Sequence, residues 1–377
     1  MVPDTLAALG RIANSWRVQH AIPVIGVTGS NGKTTVKEMI SSILAAAFGE
    51  DARLATQGNL NNEIGVPLTL FRLDARHRAA VIEMGMNHPG EIARLAAIAA
   101  PTVAMVNNAQ REHQEFMHTV EAVARENGSV LEALDAGGVA VFPGDDTYTG
   151  LWRGLAKCDV LTFGLTDACD VRASYTANGF GNTLQVSARG AQFTVELAAA
   201  GDHNVRNALA AIASTLAAGI PQDAIVRGLE AFAPVGGRLQ RKQAATGATV
   251  IDDSYNANPD SMRAAIDVLA AYPAPRILVV GDMGEVGTQG KEFHEEVGAY
   301  AQQRGIEHVL ATGELARSMS ASGARHYEQF DALLAALDST LGGNSKATVL
   351  VKGSRFMKME RVVQHLTGST ETKKDAH

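Results

Sequence analysis

Short apolar runs rich in β-branched residues alternate with amphipathic, alanine-rich segments along most of this 377-residue chain. The first part of the pattern predicts strands at 22–27, 79–84, 102–106, 139–142 and 160–163, and helices at 33–47, 89–99, 120–135, 146–156, 203–218 and 222–232. Strands that alternate with helices indicate a mostly parallel sheet covered by helices on both faces. Shorter alternating runs between 168 and 198, separated by Asn and Gly turns, predict a small antiparallel addition at the sheet edge.

A break follows at 233–237 (APVGG), where proline and glycines are typical of a linker. Beyond it the pattern predicts strands at 248–253, 276–281, 307–310 and 347–352, and helices at 260–271, 288–303, 313–321, 329–339 and 354–366. We therefore expect an α/β protein with a doubly wound, mostly parallel sheet domain at 21–235 and a smaller Rossmann-like α/β domain at 236–366. Residues 1–20 are predicted to form a helix capped by Asp4, and the polar tail 367–377 to be disordered.

The composition limits the kinds of partner. Hydrophobic residues make up 46% of the chain and charged residues 19%, which is typical of a chain that buries real cores. The net charge of −7 argues against a nucleic-acid partner, and no apolar run reaches the roughly 20 residues that span a bilayer. The only two cysteines, Cys158 and Cys169, indicate a reducing compartment. We expect a cytoplasmic monomer that acts on small molecules, without membrane insertion.

The strongest chemical signal is a glycine-rich turn between a predicted strand and a predicted helix, VIGVTGSNGKTT at 24–35. Glycines let backbone N–H groups point at phosphate oxygens, the helix start adds positive partial charge, and the lysine supplies a charge for the β- and γ-phosphates. The spacing is a variant, because the first glycine of the common G-x-x-x-x-G-K pattern would fall on Val27. This phosphate loop predicts ATP binding, with a threonine hydroxyl available to Mg²⁺, by the residues Thr28, Gly29, Ser30, Asn31, Gly32, Lys33, Thr34 and Thr35.

Two further residues suit the same chemistry. Glu83 ends a predicted strand at its carboxyl edge, where open α/β sheets place ligands, and a carboxylate there suits Mg²⁺. The alternative for Glu83 is a solvated acid at a strand end. Arg238 follows the linker, and its planar guanidinium suits a phosphate, although an interdomain ion pair is an alternative.

Several longer motifs carry a family resemblance. They are GNLNNEIGVP at 58–67, EMGM at 83–86, GDHN at 201–204, GRL at 237–239, DDSYNANP at 252–259, VGDM at 280–283 and VKGSR at 351–355. Together with the phosphate loop they resemble the Mur ligases, in particular the branch that adds D-alanyl-D-alanine, over residues 1–366. The first of that family's three domains has no counterpart before Lys33, so we expect the central and C-terminal domains, with 1–20 as a connecting helix.

The resemblance implies an ATP-dependent ligase of peptidoglycan synthesis. Such an enzyme joins D-alanyl-D-alanine to UDP-N-acetylmuramoyl-tripeptide through an acyl phosphate. The resemblance further implies a catalytic and metal-binding centre around Lys33, Thr34, Glu83 and His113, although the sequence alone makes His113 a surface loop residue about as readily. Other implied contacts are nucleotide binding by Arg238, Asn258 and Asp282, and substrate binding by Asn61, Asn62, Lys352 and Arg355. For Lys352 and Arg355, which would suit the carboxylate of the dipeptide, a structural ion pair is an equal alternative.

One position departs from the family pattern. Related ligases carry a lysine, carbamylated in several of them, where this chain reads Arg-Glu-Asn-Gly at 125–128, and we align Asn127 with that lysine. Asparagine cannot form a carbamate, so Glu126 or Glu115 would have to supply a replacing carboxylate. We therefore expect activity to be indifferent to bicarbonate depletion. The alternatives to a working ligase are a nucleotide-binding fragment or pseudo-ligase without turnover, and a folylpolyglutamate synthase-like ligase.

Overall fold

The computed structural model describes residues 2–368, which form two compact units. The first unit comprises the chain up to Glu112 together with Phe116–Ala233, and the second comprises His113–Glu115 and the chain from Pro234 onward. The predicted disordered tail lies outside the described residues from 369 on, whereas Thr367 completes the last helix. Among the described residues, no helix combines the length and apolarity that a membrane span requires.

The first unit is built on one nine-stranded sheet. Its strands are β1 (Val24–Thr28), β2 (Arg53–Ala55), β3 (Ala79–Glu83), β4 (Val103–Val106), β5 (Val139–Pro143), β6 (Asp159–Gly164), β7 (Val171–Asn178), β8 (Gly181–Ala188) and β9 (Ala191–Leu197). They lie in the order β2-β3-β1-β4-β5-β6-β7-β8-β9. Pairing is parallel from β2 to β7, while β8 and β9 add an antiparallel edge, so the predicted sheet and its antiparallel addition are confirmed.

Helices cover both faces of this sheet. They are α1 (Thr5–Arg17), α2 (Lys33–Phe48), α3 (Gly65–Leu70), α4 (Glu91–Ala99), α6 (Val120–Glu132), α7 (Thr149–Leu155), α8 (Asp202–Ala217) and α9 (Gln222–Glu230). A short helix, α5 (Gln114–Met117), begins in the second unit and ends in the first. Side chains alternate across a strand, so Ile25 and Val27 of β1 join one core with α2, α8 and α9, whereas Val24 joins another with α4, α6 and α7. The central strand is therefore buried on both faces along its whole length.

The second unit is a smaller doubly wound sheet. Its strands are β10 (Gln240–Gln243), β11 (Thr249–Asp253), β12 (Arg276–Val280), β13 (His308–Thr312), β14 (Arg325–Tyr327) and β15 (Thr348–Lys352). They lie in the order β10-β11-β15-β12-β13-β14, parallel except for β10. The helices are α10 (Pro259–Ala270), α11 (Gly290–Gln303), α12 (Phe330–Leu341) and α13 (Glu360–Thr367). The predicted α/β class is thus confirmed for both units.

The sequence pattern missed several short elements, namely β2, α3, α5, β10 and β14. Each has only three to six residues, too few for a periodicity to be visible. The helix expected at 313–321 is a 3₁₀ helix, Ala316–Ser322. The helix expected at 354–366 begins only at Glu360, because a 3₁₀ turn comes first and ends at Lys358 with a positive φ of 50°.

Arg17 fixes the first helix to the sheet domain. Its side chain is buried, and Nε donates to the carbonyl of Ala99 at 3.1 Å while Nη2 donates to that of Ala100 at 3.1 Å. Nη1 donates to the carbonyl of His20 at 2.7 Å. Burial lowers the pKa of this guanidinium. A cation at the C-terminal end of α4 also interacts favourably with the helix dipole. The guanidinium on α1 therefore satisfies backbone carbonyls at the C-terminal end of α4, which have no partner within their own helix.

Arg17→Met should lower the free energy of unfolding by about 2–4 kcal/mol, because buried carbonyls lose a charged donor while the apolar volume is kept. Arg11→Met is the matched control, since Arg11 lies on the exposed side of the same helix. Urea unfolding followed by tryptophan fluorescence measures both changes. Equal losses for the two variants would contradict this role for Arg17.

A buried histidine of the second unit connects the first turn of its own helix to the loop after β12. His294 is fully buried on α11; its Nδ1 donates to the carbonyl of Gly290 at 2.6 Å, and its Nε2 accepts from the N–H of Met283 at 3.0 Å. Both ring nitrogens are used by the neutral form. Burial accordingly lowers the pKa of His294 below its ordinary value of 6.5.

Because this pKa is lower in the folded than in the unfolded chain, the unfolded state binds more protons below pH 6.5. The stability that His294 contributes is complete above that pH and decreases as the pH falls, by at most about 1.4 kcal/mol per pH unit. His294→Gln should therefore be less stable than the wild type at pH 7.5, but its stability should fall less than that of the wild type between pH 7.5 and pH 5.5. Calorimetric unfolding at both pH values tests this, with the exposed His118→Gln as the control that should keep the wild-type pH dependence.

Candidate active site

A sharp loop joins β1 to α2, the two elements that the sequence placed around the phosphate site. Gly29 and Gly32 have positive φ values of 134° and 81°, which L side chains rarely adopt. A Cβ on Gly32 would also collide with the side chains of Asn107 and Asn207. The loop therefore needs glycine at both positions, and Gly32 leads directly into the first turn of α2, where backbone N–H groups are free for an anion.

Amide side chains from a neighbouring loop hold this turn in place. After β4, Asn107 Nδ2 and Asn108 Nδ2 donate to the carbonyl of Asn31 at 2.7 and 3.0 Å, and Asn108 Oδ1 accepts from the Asn31 N–H at 2.9 Å. Asn107 Nδ2 also donates to Asn207 Oδ1 of α8 at 2.9 Å. The Ser30 hydroxyl accepts from the N–H of Gln110 at 2.9 Å. The loop is thus rigidly preorganised rather than open.

Lys33 bends back over the loop that precedes it. Its Nζ donates to the carbonyls of Gly29 and Ser30 at 2.5 and 3.0 Å and to Glu112 Oε1 at 2.8 Å. The Lys33 side chain is only 15% exposed. We expected Lys33 in the phosphate loop, and the structure adds that its ammonium group already lies at the mouth of that loop, paired with a carboxylate that an incoming phosphate would have to replace.

Glu83 lies at the carboxyl end of β3, next to the phosphate loop. It pairs with Val27 of β1 in the parallel register, and its side chain is buried. Oε1 accepts from Asn61 Nδ2 at 2.8 Å, and the Glu83 N–H donates to the hydroxyl of Thr56 at 2.9 Å. Within residues 2–368, Oε2 has no hydrogen-bond partner. Asn62, the other amide expected to contact substrate, accepts from the N–H of Gly65 at 2.8 Å at the start of α3.

These features fit a magnesium ion. A buried carboxylate oxygen without a partner is costly and suits a cation. The described residues contain no group of three His, Cys, Asp or Glu side chains that could enclose a metal. Mg²⁺ commonly uses one or two carboxylates together with waters and substrate phosphates, so one carboxylate beside a phosphate loop is a suitable donor set. Glu83 is the residue of this chain that would hold the ion.

The position of the expected family lysine is occupied by a fully buried amide. The Thr28 hydroxyl donates to Asn127 Oδ1 at 2.7 Å. Its neighbour Glu126 accepts from the N–H groups of Gly90 and Ile92, both at 2.8 Å, at the start of α4. Glu126 is therefore committed to a helix N-terminus, which removes it as the carboxylate that replaces a carbamate.

His113 and Glu115 belong to the second unit, whereas the phosphate loop and Glu83 belong to the first. His113 has a positive φ of 49°, and its Nδ1 lies 2.6 Å from Glu285 Oε2. The N–H of Glu115 donates to the carbonyl of Glu285 at 3.4 Å. A role for His113 beside the metal stays a prediction.

In the second unit, two of the expected ligand-binding cations surround one aromatic ring. The Arg238 guanidinium lies 4.2 Å from the centroid of the Tyr255 ring, and that of Arg355 lies 6.0 Å from it. Arg355 Nη1 also pairs with Glu360 at 2.9 Å. Such a cation–π contact holds the Arg238 guanidinium against the ring. Nucleotide binding by Arg238 and dipeptide binding by Arg355 stay predictions.

The other three expected contacts of this unit take part in local structure. Asn258 caps α10, accepting from the N–H of Ser261 at 2.8 Å. Asp282 accepts from the N–H groups of Glu314 and Ala316 at 3.0 and 2.8 Å. Lys352 is buried and pairs with Asp253 Oδ2 at 2.6 Å, which is the structural ion pair that the sequence left as an alternative. Roles in ligand binding for these three residues stay predictions.

Sequence reasoning missed the residues that support the loop. Asn107, Asn108 and Gln110 directly follow β4, and Asn207 lies on α8. The available signal was an Asn-Asn pair at the carboxyl end of a buried strand, the edge where parallel sheets gather polar groups.

Comparison with known proteins assigns both units. Residues 27–215 match the Mur ligase middle domain, and residues 237–355 match the glutamate ligase domain of Mur ligases. The UDP-N-acetylmuramoyl-tripeptide–D-alanyl-D-alanine ligase of Escherichia coli K12 is 39% identical over 378 residues, covering 97% of this chain and 81% of the relative. The ligase of the same name from Bacillus subtilis is 33% identical, covering 98% of this chain and 81% of the relative.

Solved structures agree with these relatives. MurF from Acinetobacter baumannii superposes with a TM-score of 0.93 at 35% identity, covering 98% of this chain and 82% of that one. MurF from Thermotoga maritima in complex with ADP superposes with a TM-score of 0.88 at 26% identity, covering 98% of this chain and 84% of that one. A folylpolyglutamate synthase from Mycobacterium tuberculosis superposes with a TM-score of 0.77 at 18% identity, a likeness that concerns the fold alone. Because both domain matches and the relatives extend over nearly the whole chain, this protein belongs to the Mur ligase family.

Proposed function

We propose that this chain is an ATP-dependent ligase that joins D-alanyl-D-alanine to UDP-N-acetylmuramoyl-tripeptide, forming ADP and phosphate. The observation that carries the proposal is the 39% identity to a ligase of that name over 97% of the chain. The phosphate loop, with Lys33 at its mouth and Glu83 beside it, supplies a site that suits the nucleotide. The folylpolyglutamate synthase-like alternative is not favoured, because that likeness is confined to the fold.

In the first half-reaction, a carboxylate oxygen of the tripeptide attacks the γ-phosphorus, the bond to ADP breaks, and an acyl phosphate forms. The attack brings two anions together, so the chain must neutralise charge. Lys33 does so when its Nζ leaves Glu112 and engages the β- and γ-phosphates. The N–H groups at the start of α2 add partial positive charge, and the amide clamp around Asn31 keeps them in position.

In the second half-reaction, the amine of D-alanyl-D-alanine attacks the acyl carbon, phosphate leaves, and the amine loses its proton. The rigid loop keeps the departing phosphate bound while the new C–N bond forms. Mg²⁺, held by Glu83, would shield the charge that the phosphates carry. The catalysis expected of these residues is therefore positioning and electrostatic stabilisation.

Release of ADP and of the amide product from the purified chain tests the proposal. ATP, UDP-N-acetylmuramoyl-tripeptide and D-alanyl-D-alanine are mixed with the protein, and products are followed by mass spectrometry. We expect ADP and the pentapeptide product in equal amounts, and ADP formation that depends on both other substrates. Nucleotide binding without product would instead establish the pseudo-ligase alternative.

A further inference from the structure

Asn127 contains a buried donor that none of the described residues satisfies. The residue is fully buried on α6, and within residues 2–368 its Nδ2 has no hydrogen-bond partner. Leaving a buried amide N–H unpaired costs about 1–3 kcal/mol. Such groups are uncommon in folded proteins and call for an explanation, of which a ligand contact is one.

The Asn127 amide is held by one hydrogen bond, and the helix that carries it is held by its neighbours. Thr28 donates to Oδ1 at 2.7 Å, so the unpaired Nδ2 on the same planar group has a set direction. The preceding residue, Glu126, accepts from two N–H groups of α4, and a Cβ on the following residue, Gly128, would lie 2.9 Å from the Trp152 ring. These contacts hold helix α6 against its neighbours.

The location of the donor points to one part of the nucleotide. Thr28 is the last residue of β1, and the next residue, Gly29, binds Lys33 Nζ through its carbonyl at 2.5 Å. The lysine of a phosphate loop reaches the β- and γ-phosphates. We therefore expect the terminal phosphate at the Thr28 end of the loop, where an N–H suits an oxyanion rather than a metal ion.

We propose that Asn127 is a further substrate-contacting residue, whose Nδ2 donates a hydrogen bond to an oxygen of the transferred γ-phosphoryl group. The inference rests on the proposed function and deepens it. It assigns Asn127 a direct contact in the first half-reaction. In this chain an amide donor thus occupies a position at which a carboxylate or carbamate would instead accept hydrogen bonds or bind a cation.

The test compares two nucleotides that differ in the terminal phosphate. Binding of MgADP and of the magnesium complex of AMPPNP, a non-hydrolysable ATP analogue, is measured by calorimetry for wild type, Asn127→Asp and Asn127→Leu. Asp keeps the acceptor for Thr28 but replaces the donor by an oxygen, and Leu keeps the volume without polar atoms. Arg125→Gln, on the exposed side of α6, is the control.

Both Asn127 variants should lose about tenfold or more in AMPPNP affinity while ADP affinity stays within about twofold of wild type. Arg125→Gln should leave both affinities unchanged. Retained AMPPNP affinity in both variants, or a parallel fall for both nucleotides together with the melting temperature, would overturn the proposal. These binding data are independent of turnover, so a wild-type chain that binds both nucleotides but forms no amide product would refute the ligase function and leave the role of Asn127 to be decided by the nucleotide comparison.

Discussion

Lys33→Met should lower kcat for ligation by about 10²–10³-fold, the cost typical of removing one preorganised charge-stabilising donor. The expectation rests on the position of Nζ, which lies 2.5 Å from the carbonyl of Gly29 and 2.8 Å from Glu112. Methionine keeps the apolar stem of the side chain but not its charge. Nucleotide affinity should also fall, because the β- and γ-phosphates lose their cation.

The effect on stability should be small in comparison. The Lys33 side chain is only 15% exposed, and its removal leaves Glu112 without this cation, which should lower the melting temperature by a few degrees at most. Lys157→Met, an exposed site in the same unit, is the matched control and should keep full turnover. Steady-state ADP release and calorimetric unfolding measure both quantities. Near-normal turnover of Lys33→Met would refute the assignment of the phosphate loop.

The parts of the fold that the sequence predicted are those set by local patterns. Long amphipathic helices such as α2 and α8 and buried strands such as β1 have boundaries within three residues of the prediction. The phosphate loop was predictable for the same reason, since strand, glycines, lysine and helix start are contiguous. The order of the strands in the sheet was not predictable, because the position of β1 between β3 and β4 depends on contacts between residues far apart in sequence.

Residues that meet only in the folded chain were harder to assign. The clamp of Asn107, Asn108 and Asn207 around Asn31 joins three separate segments, and no spacing rule connects them. The Thr28–Asn127 contact spans 99 positions. Sequence showed what was absent at Asn127, the family lysine, but not the unpaired donor that the amide introduces.

Residue type alone does not tell whether a polar group at a strand end binds a ligand or anchors a loop. Asp282 and Lys352 both end strands at the carboxyl edge, where ligand contacts are expected. In the structure, Asp282 binds backbone N–H groups of a following turn and Lys352 pairs with Asp253. The same edge thus supplies both ligand sites and loop anchors, and only geometry distinguishes Glu83, with its unpaired oxygen, from these anchored groups.

Glu83→Gln should lower ligase turnover by about 10²-fold or more without lowering the stability of the metal-free protein. In the wild type, Asn61 Nδ2 donates to Oε1 of Glu83 at 2.8 Å. Gln keeps the volume of the side chain and can still accept this hydrogen bond. The substitution removes a buried negative charge whose second oxygen has no partner among residues 2–368. Because burying a charge costs more than burying an amide, the melting temperature in EDTA should hold or rise.

The effect of Mg²⁺ on the melting temperature should distinguish the wild type from Glu83→Gln. A ligand that binds only the folded state stabilises it, so Mg²⁺ with ADP should raise the melting temperature of the wild type more than that of Glu83→Gln. Glu121→Gln, an exposed carboxylate paired with Arg125 on α6, is the control and should respond as the wild type does. Calorimetry with and without Mg²⁺ measures these shifts independently of turnover. Equal stabilisation of all three proteins would mean that Glu83 does not hold the ion, and its unpaired oxygen would need a different partner.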